Sequence, residues 1–242
     1  MKNTLLLPLL FSTAPALAQT SFHIGPRIGA TVATVRYSDN PPYTRPTTAY
    51  KAGFEAGLIG SLQTGHFGIQ PTIIFIQKGY KSQYALVPSP GTLPPTLNSH
   101  NVRLNYVTAQ LNFAYTQHDN GQGLQLFAGP YISCLVGGSY HSDFVFYTLG
   151  STSTLDGQVV AGDRNPSTPG SNDIYSKRWD IGLQAGVGYQ YKNSLLQVGY
   201  SLGLRNLAAT HVGGSPPTDL ASTPAYSRGF YASISYLLNA KG

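Results

Sequence analysis

WDIGLQAGVGYQYKNSLLQVGYSLGL, residues 179–204, alternates with a period of two along almost its whole length. One set of positions holds Trp179, Ile181, Leu183, Ala185, Val187, Tyr189 and Tyr191. The interleaved set holds Asp180, Gly182, Gln184, Gly186, Gly188 and Gln190. After Lys192 and Asn193 the pattern restarts, with Leu196, Val198, Tyr200, Leu202 and Leu204 set against Gln197, Gly199, Ser201 and Gly203. Successive side chains of a strand point to opposite faces, so this pattern predicts two long strands joined by a tight polar turn. The fold then turns on which of the two faces meets water.

The same period recurs in six further segments, at about 22–35, 51–63, 67–78, 102–115, 124–136 and 230–238, which with the hairpin at 179–191 and 194–204 makes eight strands. Pro71 interrupts the third and predicts a bulge there, because proline cannot donate to a ladder. Short connections (64–66, 117–123, 192–193) alternate with long ones (about 37–50, 80–101, 139–176, 207–228) that are rich in Pro, Ser, Thr and Gly. Such segments are loops by composition. An antiparallel meander with tight turns on one rim and long loops on the other has the arrangement of an outer-membrane barrel.

Composition points the same way. Charged residues are 10% of the chain while there are 27 Gly and 17 Tyr, a balance that favours strands and turns over helices. The basic residues behind the net charge of +6 form no run or stripe, which argues against a nucleic-acid partner. Cys134 is the single cysteine, so no intramolecular disulfide can form.

The polar face decides the wet side. A water-exposed face is ordinarily built from Lys, Glu, Arg, Asp and Thr. Here it is mostly Gly, Ser, Gln and Thr, with isolated charges at Arg27, Glu55, Lys78, Asp180 and Arg205. Small residues suit the narrow interior of an eight-stranded barrel, and isolated charges of both signs could neutralise one another there. The opposite face carries large aliphatics, with Tyr37, Tyr80, Tyr115, Trp179, Tyr189, Tyr191 and Tyr236 near strand ends. Amphipathic rings at those positions match the two membrane interfaces. The expected fold is therefore all-β: an eight-stranded antiparallel up-and-down transmembrane β-barrel, apolar outside.

Met1 and Lys2, the apolar stretch 5–11 and Ala16-Leu17-Ala18 read as a secretory signal peptide over 1–18, leaving 19–242 as the barrel domain. The apolar core is far shorter than the roughly 20 residues of a membrane-spanning helix. Export to the periplasm and an even strand count put both termini and the short turns on the periplasmic side, with the long loops outside the cell.

Six runs carry a family resemblance: FHIGPRIGATVATV, GIQPTIIFIQKG, LNYVTAQLNFAY, LFAGPYISCLVGG, DIGLQAGVGYQY and GYSLGLRNL, spread over nearly the whole mature chain. In these the sequence resembles the PorT-like outer-membrane β-barrel family of Bacteroidota, often labelled porin family proteins. It departs at Thr72 and Ala109-Gln110, where the family usually has Glu and an aliphatic-Pro pair. It also continues beyond Tyr236 to Gly242, where members commonly end on an aromatic residue. The resemblance implies an integral barrel of the outer membrane in contact with its lipid and lipopolysaccharide, inserted by the barrel assembly machinery.

Candidate chemistry is sparse. Ser139, His141 and Asp143 in GGSYHSDF have the residue types of an activated nucleophile, though polar loop residues are the simpler reading. His100 and His211 fall on the loop side, and no HxH or HxxxH spacing suggests a metal. No cofactor motif is present, since GPRIG and GVG lie in strands and read as spacers inside the barrel. Four readings remain: a non-enzymatic anchor displaying extracellular loops to an unidentified extracellular or periplasmic partner, a narrow porin-like channel, a lipid-modifying barrel enzyme, and a secreted soluble barrel.

Overall fold

A computed structural model describes residues 21–38, 47–86, 96–146, 151–165, 172–211 and 223–239. The signal peptide expected over 1–18 lies outside the described residues. Thirteen strands follow in chain order: β1 (Ser21–Tyr37), β2 (Thr47–Thr64), β3 (Phe67–Leu86), β4 (Thr96–Thr116), β5 (Gly123–Phe146), β6 (Ser151–Ala161), β7 (Arg164–Asn165), β8 (Ile174–Ser176), β9 (Trp179–Tyr191), β10 (Ser194–Gly203), β11 (Thr210–His211), β12 (Ala225–Tyr236) and β13 (Leu238–Asn239). Eight of them, β1–β5, β9, β10 and β12, pair antiparallel in a ring that closes where β1 meets β12 from Arg27↔Ser235 to Tyr37↔Ala225. Closure leaves the ring without a free edge.

The side chains sort as the alternation predicts. Ile28, Leu58, Ile73, Phe113, Leu126, Leu183, Val187, Leu196 and Ile234 stand on the exposed outer face, and Gln70, Asn112, Gln125, Asp180, Gln184 and Gln197 are buried inside. Four inward glycines lie directly opposite four inward rings: Gly182 and Tyr131, Gly186 and Phe127, Gly199 and Tyr231, Gly157 and Tyr140. A Cβ added to Gly186 would stand 2.5 Å from Phe127 Cζ and 2.2 Å from the Val198 carbonyl oxygen. Each ring therefore folds across the strand onto a position where only hydrogen fits, which fills the bore layer by layer.

Three sequence expectations need correction. The strands run past their expected ends: β3 reaches Leu86, β4 starts at Thr96, and β5 continues to Phe146 and pairs with β6. Much of the loops expected at 80–101 and 139–176 is thus β-sheet, because Ser, Thr and Asn there still alternate with Val, Leu and Tyr. No register shift occurs at Pro71. Gly60 lies beside it, and a Cβ there would be 3.2 Å from Pro71 Cγ, so the glycine gives the ring its space. The irregularities fall instead at Tyr50/Glu55 in the β2–β3 pair and at Asn105/Tyr106 in the β4–β5 pair. The second sits at Gly137, whose φ of 148° suits glycine, and the extra residue exchanges the two faces of β5. Below it Tyr131, Ser133 and Leu135 are buried; above it Tyr140 and Ser142 are.

Gly186→Val is expected to destabilise the barrel by about 1–3 kcal/mol through overpacking, whereas Ala185→Val, one residue away on the outer face, leaves it unchanged. Urea unfolding in lipid vesicles, read by the heat-dependent gel shift of folded barrels, compares the two. Equal effects would contradict the inside-outside assignment.

Candidate functional site: the lumen and the loop-side rim

Arg27 of β1 is the hub of the lower lumen. Its Nε donates to Glu55 Oε1 at 2.9 Å and its Nη1 to Gln197 Oε1 at 2.7 Å, while Gln197 Nε2 donates to Gln70 Oε1 at 3.0 Å and Gln125 Oε1 at 3.1 Å. Glu55 reaches Arg27 past Gly29, where a Cβ would be 3.0 Å from Glu55 Cγ. The guanidinium also lies 5.4 Å from the centre of the Tyr231 ring. These bonds join β1, β2, β3, β5 and β10, so they tie walls that share no ladder.

Nearer the loops Lys78 Nζ meets Asp180 Oδ2 at 3.2 Å, joining β3 to β9 across the bore. Tyr131 donates its hydroxyl to the same carboxylate at 3.3 Å, and the ammonium lies 4.7 Å from the Tyr131 ring centre and 5.6 Å from that of Tyr106. Both ion pairs are shut away from solvent, where a charge is tolerated only when paired and hydrogen-bonded. Arg205 joins neither pair: it lies half-buried in a bend beyond the end of β10, since alternation ends at Gly203.

Apolar layers bracket the polar one. Ile59, Leu195 and Leu237 form a buried floor on the short-turn side. Toward the loops Ile74, Ile76, Val102, Leu104, Tyr106, Leu135, Tyr140 and Val159 form a second cluster, to which β6 contributes Val159.

Of the expected girdle, Tyr115, Trp179, Tyr189, Tyr191 and Tyr236 stand on the outer face. Tyr115 packs against Phe67 at 5.4 Å and stacks on His66 at 5.7 Å beside the first short turn. Tyr37 and Tyr80 do not belong to the girdle. Tyr80 shares the parity of Ile74, Ile76 and Lys78 and packs on the inner cluster, and Tyr37 follows Thr31 and Val35 inward and hydrogen-bonds Tyr80. A second outer aromatic group, not singled out by sequence reasoning, joins Tyr200, Phe230 and Tyr50 at ring separations of 4.8 and 6.2 Å. Tyr200 and Phe230 were legible as apolar-face residues; Tyr50 lies in a stretch that reads as loop.

On the loop side, the exchange of faces at Gly137 places His141 and Asp143 at the surface of the β5–β6 hairpin. His141 Nδ1 meets Asp156 Oδ1 at 2.7 Å and its Nε2 meets Asp143 Oδ1 at 3.2 Å. The hydrogen bond and charge of Asp156, and secondarily Asp143, raise the basicity of this imidazole above the ordinary histidine range. With both ring nitrogens held by carboxylates, neither is turned toward a serine as a base. His100, whose Nδ1 is 2.6 Å from Ser142 Oγ, is shifted the other way by burial. Residue 211 ends β11, paired in parallel with β7.

A family match agrees with this architecture. The model of the outer membrane protein beta-barrel domain matches residues 17–209. No curated protein matches the chain. Among solved structures, Ail, the attachment invasion locus protein of Yersinia pestis, here in complex with the heparin analogue sucrose octasulfate, is 11% identical with a TM-score of 0.38, covering 90% of this chain and 99% of Ail. The outer membrane protein OprG of Pseudomonas aeruginosa is 11% identical with a TM-score of 0.36, covering 91% of this chain and 97% of OprG. At such scores nothing either protein binds carries over. The family match runs from before β1 into the segment after β10, and over that span the chain belongs to the outer membrane protein β-barrel domain family.

Proposed function

We propose that this outer-membrane barrel is a non-enzymatic anchor that displays an extracellular β-sheet and its loops to a partner outside the cell. The observation that carries the reading is the mismatch between strand length and membrane thickness. A tilted strand crosses hydrocarbon in about 9–11 residues, yet β3, β4 and β5 have 20, 21 and 24. The outer apolar band of β3 and β4 ends at Phe75 and Val107, after which Gln77 and Asn105 face outward and hydrogen-bond each other at 3.1 Å. The excess lies wholly on the loop side and is stiffened by β6.

The signal peptide over 1–18, periplasmic short turns and extracellular loops belong to this reading. So does the likeness to PorT-like members, which rests on the six sequence runs. A non-enzymatic role is supported by His141, whose two nitrogens are committed to Asp143 and Asp156. The filled bore supports an anchor over a pore.

A narrow channel is favoured by one observation: Arg27 Nη2, Glu55 Oε2, Gln70 Nε2 and Gln125 Nε2 are buried without a protein partner, and water would satisfy them. Planar-bilayer recording separates the two. The anchor reading expects no steady open steps, and reproducible steps would replace it with the channel.

Orientation is tested with single cysteines in a Cys134→Ser background. On intact cells a membrane-impermeant maleimide is expected to label Ser153→Cys, in β6, and to leave Asn193→Cys, in the β9–β10 turn, unlabelled until the outer membrane is opened. The reverse pattern would invert the proposed topology.

The lumen network is expected to be structural. Glu55→Gln strands a buried guanidinium and should cost about 3–5 kcal/mol. The double variant Arg27→Met, Glu55→Met should recover most of that loss, as measured by denaturant midpoints in vesicles, with conductance at baseline in both.

A further inference from the structure

Three cations from three strands meet just beyond the apolar band on the loop side. Lys81 pairs with Asn101 across β3–β4 and Arg103 pairs with Gly79. Lys51 of β2 lies over Gly79, where a Cβ would be 2.9 Å from Lys51 Cδ, and its Nζ donates to Asn101 Oδ1 at 2.5 Å. The charges of Arg103 and Lys81 both bear on Lys51, and no carboxylate among the described residues pairs with any of the three. Arg103 and Lys81 are exposed on the outer face, and the same strand faces carry Phe75 and Val107 toward the hydrocarbon. Like charges held together at the edge of an apolar surface repel one another, and an anion between them relieves that repulsion.

The wider charge distribution agrees. Among the described residues, Arg36, Arg164, Lys177, Arg178, Arg205 and Arg228 also lie on the loop side, against Asp143, Asp156, Asp163 and Asp173 there. Among the described residues the short-turn rim carries only Lys192 and Asp119. Apolar strand below and cations above form a surface complementary to an amphiphile with acyl chains and a phosphate headgroup.

We propose that Lys51, Lys81 and Arg103 bind the phosphate groups of lipopolysaccharide in the outer leaflet, its acyl chains lying on the outer face of β3 and β4. The assignment to the outer leaflet rests on the topology proposed above; the cation cluster does not. Each cation contributes about 1 kcal/mol toward an anionic membrane surface, which corresponds to roughly five-fold in affinity.

The full chain, refolded in detergent micelles, is titrated with lipopolysaccharide at low and physiological salt. The triple variant Lys51→Gln, Lys81→Gln, Arg103→Gln is expected to bind on the order of a hundred-fold more weakly at low salt, and Lys192→Gln to bind as the parent does. Both should keep the heat-dependent gel shift, and each single variant, which loses one charge only, should fall about five-fold. Dephosphorylated lipopolysaccharide should bind the parent as weakly as the triple variant, and millimolar inorganic phosphate should fail to compete. Unchanged binding by folded triple variant, or by the dephosphorylated lipid, would overturn the site. Full competition by inorganic phosphate would overturn its assignment to a lipid. Because the titration is made in micelles, its failure is distinct from an inverted topology, which the cysteine labelling reads.

Discussion

A strand in hydrocarbon must find a protein partner for every backbone N–H and C=O, since an unpaired group there costs several kcal/mol. The β1–β12 seam meets that demand. Without the eleven registered pairs from Arg27↔Ser235 to Tyr37↔Ala225, β1 and β12 would each present an open edge to lipid. β13 extends the seam through His23↔Asn239 and Ile24↔Leu238, so residues beyond the last aromatic strand position are still used for closure. Once the ring is closed, its faces are no longer equivalent. The outer face must be apolar, and the inner one is too narrow for most side chains.

That narrowness explains the lumen. Where Phe127, Tyr131, Tyr140 and Tyr231 point inward, a cross-strand neighbour is glycine; where a charge points inward, its partner comes from another strand. Lys78 and Asp180 sit on β3 and β9, with two strands between them, so the pair acts as a strut as well as a neutraliser. Gln197 does the same work without charge, holding Arg27, Gln70 and Gln125 at once. Buried polar networks of this kind are stable only when most members are satisfied, which is why the apolar clusters above and below confine it to the middle of the barrel.

How far this could be read from sequence follows from what sets the pattern. The eight-strand ring and its inverted faces were legible because the bilayer imposes period two on every crossing strand, as in Ile181, Leu183 and Val187 against Gly182, Gln184 and Gly186. Pairing between Arg27 and Glu55 or Lys78 and Asp180 was not, because it depends on which strands face each other around a closed ring. Tyr37 and Tyr80 read as girdle residues from their place near strand ends, yet parity carries them inward. Beyond the lipid no such constraint selects one face, so β6 and the upper halves of β3–β5 resemble loops by composition: Ser151-Thr152-Ser153-Thr154 pairs as regular strand with 143–146.

The bulge at Gly137 links these two regimes. Within the membrane β5 is flanked by β4 and β9, and above it by β4 and β6. The change of partner needs a local increase in twist, which an extra residue supplies. It also exchanges the faces, so that Tyr140 closes over the inner apolar cluster while His141 and Asp143 turn outward to Asp156. Had the alternation run unbroken, His141 and Asp143 would have turned into the lumen near Val102, where desolvation opposes their charges and Asp156 on the exposed face of β6 could not reach them. One glycine with a φ few other residues adopt thus separates a wall built for lipid from a sheet built for water, and the cations at Lys51, Lys81 and Arg103 lie at the level where the one becomes the other.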